Sequence, residues 1–256
     1  MVDILYEDND IIVVVKPVGT ASQTERSMSP DMVSILMNYQ KCNGVKNPYV
    51  GVVHRLDKPV SGIMVYGKNK NATAILSKNI AEHDWNKKYV AVFCSASFPE
   101  DSGMSQGSVI PDEAGTCCTW LPMEDYLVRD GKTNTSFICD KTHKDAKLAS
   151  LNYRIIETKN VTELPSLNSH IDLTANNINF VSLAEIELIT GRHHQIRVQF
   201  ASRNMMLWGD TRYGSKDFKK TSVALCSNSL SFVHPVTKKR LDFTIKPQNS
   251  IFKLFI

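Results

Sequence analysis

The sequence lacks the features that mark membrane and secreted proteins. Its apolar runs are short, and none reaches the roughly 20 residues that a transmembrane helix needs. The first ten residues, MVDILYEDND, carry acidic side chains and no basic segment, so they do not resemble a signal peptide. These absences predict a cytoplasmic chain that does not span a membrane.

Cysteines spaced for metal binding are missing as well. The six cysteines, at positions 42, 94, 117, 118, 139 and 226, include no C-x-x-C pair. The adjacent Cys117 and Cys118 are poorly placed for a zinc site or an ordinary disulfide, and the adjacent His193 and His194 have no third ligand at a useful spacing. We predict structural or incidental thiols and no metal site, with redox or metal-binding roles as the alternative.

Most of the chain lacks a net positive charge, and the excess of basic residues is concentrated near its end. Residues 191–256 hold 12 Lys and Arg against 3 Asp and Glu, whereas residues 1–190 hold 18 against 23. Such a distribution is typical of a protein that docks an anionic partner on one face, although a solvated basic surface would look the same. The candidate for phosphate contact is Lys238-Lys239-Arg240, which could equally be a solvated hairpin tip.

Periodicity predicts many short strands and few helices. The apolar run IIVVV ends at Lys16-Pro17 and indicates a buried strand. Helices are expected from Ser29, as a capping hydroxyl, to about Tyr39, then over 71–84 and 194–203. No βαβ regularity is evident, so the pattern favours an α+β fold in one domain over residues 1–256. Two polar stretches interrupt it: 99–145, an irregular excursion with short strands, and 158–179, a long hairpin loop.

A polar turn lies between two apolar strands at His54-Arg55-Leu56-Asp57. Alone, this turn is more often a surface ion pair, and Tyr89 alone would be a structural strand tyrosine. A functional role becomes the favoured interpretation when these residues are considered with the other motifs of the chain. In order, the motifs are ILYEDNDIIVVVKPVGT, GVVHRLDKPVSGI, KKYVAVF, ITGRHHQIRVQF, GDTRYG and SLSFVHPVTKKRLDF. Together they resemble the successive motifs of the RluA-type family of RNA pseudouridine synthases, from Ile4 to Pro247.

The resemblance implies a set of site residues. By position, Asp57 matches the catalytic aspartate, Tyr89 the tyrosine that stacks on the uracil and is implicated in removing its C5 proton, and Arg197 the basic residue paired with the aspartate. The implied substrate-binding residues are Arg55, which fills the space of the extruded base, the pocket residue Ile196, the structural hydrogen-bonding His54, and Arg192.

The resemblance also implies the fold, the reaction and the partner. The expected fold is the pseudouridine synthase catalytic fold, a mixed, largely antiparallel sheet with flanking helices and a central active-site cleft, with no N-terminal S4 domain. The expected reaction isomerises uridine in structured rRNA or tRNA after base flipping, with no metal, nucleotide or other cofactor, on a monomeric enzyme. A carboxylate can serve as a nucleophile or in a glycal-forming deprotonation, and the sequence leaves both routes open. A non-catalytic RNA-binding protein or chaperone that keeps the fold is the alternative, and a uracil-releasing glycosidase is a third reading.

Overall fold

Strands dominate the fold. The computed structural model describes residues 2–24, 29–82, 84–99, 119–164, 166–167, 171–218 and 221–255. In chain order the elements are β1 (Asp3–Glu7), β2 (Ile11–Lys16), α1 (Met32–Cys42), β3 (Gly51–Val52), β4 (Ser61–Gly67), α2 (Lys70–Ala81), β5 (Asn86–Ser95), β6 (Leu121–Asp130), β7 (Thr135–Cys139), β8 (Lys147–Asn160), β9 (Phe180–Leu188), α3 (Gln195–Ala201), β10 (Met206–Leu207), β11 (Leu225–Val233) and β12 (Arg240–Thr244). Over these ranges no helix is long and apolar enough to cross a membrane.

The chain divides into two compact units. The first unit comprises residues 1–88 and 226–247, and the second comprises residues 89–225 and 248–256. The prediction of a single catalytic domain with no S4 domain stays a prediction, and so does the central cleft.

The first unit is built on the buried strand β2. The strand order is β1, β2, β4 and β11, while β3 pairs with β4 and β12 pairs with β11. Residues Ile11–Val14 are fully buried, and Ile11 and Val13 pack in one cluster with Leu76 of α2 and Phe232 of β11. The pairing of β11 with β4 is parallel and the others are antiparallel. The buried strand and the mixed, largely antiparallel character predicted from the sequence are therefore confirmed.

The first helix begins two residues later than the sequence pattern indicates. Its N-cap is Asp31, whose carboxylate accepts the Ser34 N–H at 3.0 Å, while Ser34 Oγ accepts the Asp31 N–H at 3.1 Å. This is a reciprocal capping box, in which Asp31 performs the role predicted for Ser29. The predicted Ser29 cap is wrong, because a carboxylate lay within reach of the free N–H groups.

The second unit is a run of neighbouring strands with α3 packed against it. The strand order is β5, β9, β8, β6 and β7, and β10 pairs with β5. Val198 of α3 packs with Leu127 of β6 and Ala149 of β8. The β8–β9 hairpin is joined by residues 161–179, so the long hairpin loop predicted at 158–179 is present.

The first polar stretch contains more regular structure than its composition suggests. Strand β6 runs for ten residues and pairs with β8 from Leu121↔Tyr153 to Leu127↔Lys147, and with β7 from Tyr126↔Cys139 to Asp130↔Thr135. The five-residue β7 agrees with the short strands predicted for this excursion, whereas the irregular structure predicted over β6 is wrong. The segment of the excursion at 100–118, including Cys117 and Cys118, lies outside the described residues.

Candidate active site

Asp57 lies on the loop that joins β3 to β4, as the polar turn between two apolar strands predicts. Its carboxylate is half-buried, and its carbonyl accepts the Val60 N–H at 3.0 Å. The neighbouring Leu56 is held on both sides of its peptide by Ser22, whose hydroxyl donates to Leu56 O at 2.7 Å and accepts the Leu56 N–H at 3.0 Å. These bonds fix the backbone that presents the Asp57 side chain.

A buried lysine supports the same loop. Lys16, at the end of β2, is fully buried and its ammonium donates to Thr20 O at 2.7 Å, Pro17 O at 3.0 Å and Lys58 O at 3.2 Å. Burial lowers the pKa of Lys16 to about 8, and the negative charge of Asp57 acts in the opposite direction. Lys16 is not among the predicted site residues, and its signal in the sequence is a charged residue at the end of an otherwise apolar run.

His54 has the geometry of a structural residue. Its Nε2 accepts the Val65 N–H at 3.1 Å, which requires that nitrogen to be unprotonated, and its ring meets the Trp85 ring edge-on at 5.4 Å. Burial, with a smaller contribution from the positive charge of Lys87, holds the pKa of His54 well below its usual value. A neutral acceptor on the β4 backbone supports the prediction that His54 orients the motif and does not transfer protons. Arg55 is exposed next to it, and its predicted place in the emptied base stack stays a prediction.

Arg197 forms a buried ion pair in the second unit. Its Nε donates to Asp210 Oδ2 at 2.7 Å and its Nη2 donates to Oδ1 at 2.8 Å, and the two residues are 4% and 1% exposed. The guanidinium also lies 5.2 Å from the centre of the Tyr213 ring. Bidentate hydrogen bonding to a carboxylate, together with the neighbouring aromatic ring, holds the guanidinium plane in one orientation.

The Asp210 carboxylate stays ionised in spite of its burial. Burial alone raises the pKa of Asp210, but the hydrogen bonds and charge of Arg197, with the N–H groups of Arg212 and Tyr213, bring the pKa below its usual value. The Arg212 and Tyr213 N–H groups reach Oδ1 at 3.0 and 3.2 Å. Asp210 belongs to the motif GDTRYG, but no local pattern in the sequence indicates its partner 13 residues away.

The two histidines before α3 are part of the same polar network. His194 is buried in a left-handed conformation at φ 56°, and its Nδ1 lies 2.7 Å from the Tyr213 hydroxyl. His193 stacks on it at 3.7 Å, and its Nδ1 lies 2.9 Å from Ser136 Oγ. Because Ser136 N–H donates to the Tyr213 hydroxyl at 2.7 Å, that hydroxyl has its proton available for His194 Nδ1. These are hydrogen-bonded structural residues, not solvated helix-start residues.

The remaining predicted residues differ in exposure. Tyr89 of β5 is 6% exposed and Ile196 of α3 is 5% exposed. Arg192 is exposed, and its Nε donates to Leu148 O at 2.7 Å. Asp57, His54 and Arg55 thus belong to the first unit, and Tyr89, Arg192, Ile196 and Arg197 to the second. The pairing of Arg197 with Asp57 and the roles of all seven residues stay predictions.

One cluster has the residue types of a metal site but is better explained by hydrogen bonding. Asp8, Asp10 and His234 have ligand atoms within 4.8 Å of one another. Because the Val236 and Thr237 N–H groups donate to His234 Nδ1, the proton sits on Nε2, which donates to Asp8 Oδ2 at 2.8 Å. Asp8 also accepts the Tyr6 hydroxyl and the N–H groups of Asp10 and Ile11. With its oxygens so occupied, the cluster ties the β1–β2 turn to β11.

The described cysteines have the environments of structural or incidental thiols. Cys94 and Cys226 are buried, and burial raises the pKa of both thiols, that of Cys226 to about 11. Cys42 is exposed and Cys139 is half-buried, and all four are unpaired. Protonated thiols are weak nucleophiles and weak metal ligands, so neither buried cysteine suits redox or metal chemistry.

Comparison with known proteins points to one family. The family model described as RNA pseudouridylate synthase matches residues 10–202. The uncharacterized RNA pseudouridine synthase YhcT of Bacillus subtilis is 28% identical, over 92% of this chain and 65% of its own length. The ribosomal large subunit pseudouridine synthase D of Zymomonas mobilis is 28% identical, over 99% of this chain and 71% of its own. This chain therefore spans about two thirds of the length of these relatives.

The fold agrees with that family. The structure of human RNA pseudouridylate synthase domain containing 1 superposes with a TM-score of 0.67 at 17% identity, over 96% of this chain and 84% of the human one. This likeness confirms the predicted fold class. The family match confirms the RNA pseudouridine synthase family that the motifs indicated. The chain belongs to the RNA pseudouridylate synthase family.

Proposed function

We propose that this chain isomerises uridine to pseudouridine in structured ribosomal or transfer RNA, with Asp57 as the catalytic carboxylate. The observation that carries the proposal is the Asp57 loop: a half-buried carboxylate on a backbone held by Ser22 and Lys16, in the motif that resembles the family's catalytic one. A fixed carboxylate lowers the entropic cost of reaching one atom of a bound sugar.

The reaction needs no external reagent. The bond from uracil N1 to ribose C1′ breaks, the base rotates, a bond forms from C5 to C1′, and the proton on C5 leaves as N1 acquires one. A carboxylate can take part as a nucleophile at C1′ or by removing a sugar proton on a glycal route, and both remain compatible with Asp57. Tyr89 is proposed to stack on the base and to assist removal of the C5 proton.

The substrate base must leave its stack to reach a carboxylate held on such a loop. Extrusion costs a few kcal/mol, and stacking on an aromatic ring returns about 1–3 kcal/mol. Exposed Arg55, two residues before Asp57, is proposed to fill the vacated space with its guanidinium plane. We further propose that the enzyme acts as a monomer in the cytoplasm without a cofactor.

Tritium release tests the proposal directly. Total RNA from a strain lacking the gene, labelled with tritium at uracil C5, is incubated with the wild type and with Asp57→Asn. We expect release by the wild type, none by Asp57→Asn, and no free uracil in either reaction. Equal absence of release with intact RNA binding would favour the non-catalytic RNA-binding alternative, and free uracil would favour a glycosidase.

A further inference from the structure

Three exposed arginines of the second unit carry charges that no carboxylate neutralises. Across the described ranges, Arg129, Arg192 and Arg212 have no Asp or Glu oxygen within ion-pair distance. Four other arginines do pair with a carboxylate at 4.0 Å or less, namely Arg154, Arg197, Arg203 and Arg240. The three differ in having charge available for an external anion.

Uncharged oxygens of the β6–β7 hairpin and of β8 hold these guanidinium groups in place. Arg212 Nη1 donates to Asn134 O at 2.7 Å and to Thr133 O at 3.2 Å, and Arg129 Nη2 donates to Asn134 Oδ1 at 2.9 Å. Arg192 Nε donates to Leu148 O at 2.7 Å. Each guanidinium therefore keeps further N–H donors, and less side-chain entropy is lost when it binds an anion.

The hairpin turn that accepts hydrogen bonds from Arg212 and Arg129 is itself fixed. Asp130 Oδ1 accepts the Lys132 N–H at 2.8 Å, and Asp130 Oδ2 accepts the Thr133 hydroxyl at 2.7 Å. Those bonds lower the pKa of Asp130 and engage both of its oxygens. Asn134 adopts φ 52°, which turns its carbonyl and side chain toward Arg212 and Arg129. Two like charges thus meet at one asparagine, an arrangement that a bound anion stabilises.

The arginines also flank the predicted site residue Arg197. The Arg212 N–H donates to Asp210, the carboxylate that grips Arg197. The Arg192 N–H donates at 2.9 Å to Gln195 Oε1, at the first residue of α3. An anion bound by these arginines would lie next to the segments that orient Arg197.

The spacing suits more than one phosphate. Leu148, which holds Arg192, pairs with Tyr126 on β6, three residues before Arg129. Three residues of strand correspond to about 10 Å. The positions that anchor Arg192 and Arg129 are therefore separated along the sheet, as contacts to more than one phosphate of a nucleic-acid backbone would be.

We infer that Arg129, Arg192 and Arg212 form a phosphate-binding surface for the RNA substrate, with the β6–β7 hairpin as its scaffold. The inference rests on the proposed function for the identity of the anion. According to this inference, the arginines that flank Arg197 contact the phosphate backbone of the RNA. Their scaffold, the β6–β7 hairpin, is not basic in composition.

Salt dependence of RNA binding tests the surface without knowledge of the target uridine. The probe is bulk transfer RNA from a strain lacking the gene, and apparent Kd is measured by filter binding from 50 to 200 mM KCl. The variants are Arg129→Gln/Arg212→Gln, Arg129→Lys/Arg212→Lys, and, as a matched loss of two exposed charges in the first unit, Lys41→Gln/Lys46→Gln. Urea unfolding of each variant accompanies the binding measurements.

The expected result separates charge from scaffold. The logarithm of the binding constant falls linearly with the logarithm of the salt concentration. Losing two phosphate contacts makes this negative slope shallower by about 1.4 to 1.8 in the glutamine pair. The lysine pair keeps the charge and hence the slope, and the control pair matches the wild type. A wild-type slope in the glutamine pair would overturn the inference. An equal loss of slope in the glutamine and lysine pairs would also overturn it, because it would show that the arginines stabilise the hairpin and do not bind phosphate.

Tritium release from C5-labelled total RNA of the same strain, which contains both ribosomal and transfer RNA, separates this surface from the proposed activity. If the wild type releases no tritium but the slopes change as expected, the surface stands and the catalytic proposal fails. If the wild type releases tritium and the glutamine pair has the same salt-dependence slope as the wild type, the activity stands and the surface is wrong.

Discussion

Replacing Asp210 with asparagine removes a negative charge that pairs with the buried guanidinium of Arg197. The pair is bidentate at 2.7 and 2.8 Å and at most 4% exposed. Asparagine keeps an oxygen for the N–H groups of Arg212 and Tyr213, so the substitution acts mainly on charge.

The expected loss is large for a single substitution. Removing one partner of a buried ion pair costs about 3–5 kcal/mol in the free energy of unfolding. The Tyr213 ring still faces the guanidinium, and such a contact contributes up to about 2 kcal/mol when desolvated. We therefore expect a value near the lower end, about 3 kcal/mol at pH 7.

Urea unfolding at pH 7 measures this loss, with Asp84→Asn as the control. Asp84 lies 4.0 Å from Arg240 in a pair that is about half exposed, so its replacement should cost less than about 1 kcal/mol. The double variant Arg197→Met/Asp210→Asn should be more stable than Asp210→Asn alone, because it removes the guanidinium that Asp210 pairs with. A cost for Asp210→Asn below about 1 kcal/mol with an unchanged slope on urea would refute the reasoning.

The same pair has a defined pH dependence. The pKa of Asp210 is lowered in the folded state, so its contribution is present above the unfolded pKa of about 3.9 and is lost as the pH falls through the folded value. The stability difference between the wild type and Asp210→Asn should therefore shrink below about pH 4. A difference that stays constant to pH 2 would contradict this assignment.

Two further substitutions test how the Asp57 loop is held. Gly62 has φ 135°, and a Cβ there would lie 2.4 Å from Ser227 O, so Gly62→Ala should cost about 3 kcal/mol or more in urea unfolding. Gly44→Ala, at φ 85° in open space, should cost only about 1–2 kcal/mol, and equal costs would contradict the predicted clash. The pKa of Lys16 is lowered to about 8, so the unfolded chain binds more protons than the folded one between pH 8 and its free value of about 10.4. Wild-type stability relative to Lys16→Met should therefore rise by about 2 kcal/mol from pH 8 to pH 10, and parallel curves would show that Lys16 is not desolvated.

Local pattern determined much of the fold. The run IIVVV indicated the buried strand β2, and periodicity predicted a helix over 71–84 where α2 covers Lys70–Ala81. The polar turn between two apolar strands predicted that Asp57 lies on a loop, and the ordered motifs indicated the family. These features depend on neighbours a few residues apart, and the sequence displays those neighbours directly.

Tertiary structure decided what depends on distant partners. Strand β6 looks irregular in composition, yet it is a ten-residue strand because β8 and β7 supply its hydrogen bonds. Lys16 supports the carbonyl of Lys58, 42 residues away, and Asp210 holds Arg197. The sequence by itself determined the family, the strand-rich fold and the position of Asp57. Which charges are buried, and which oxygens hold them, was decided only by folding, since burial and ion pairing arise between segments that periodicity does not connect.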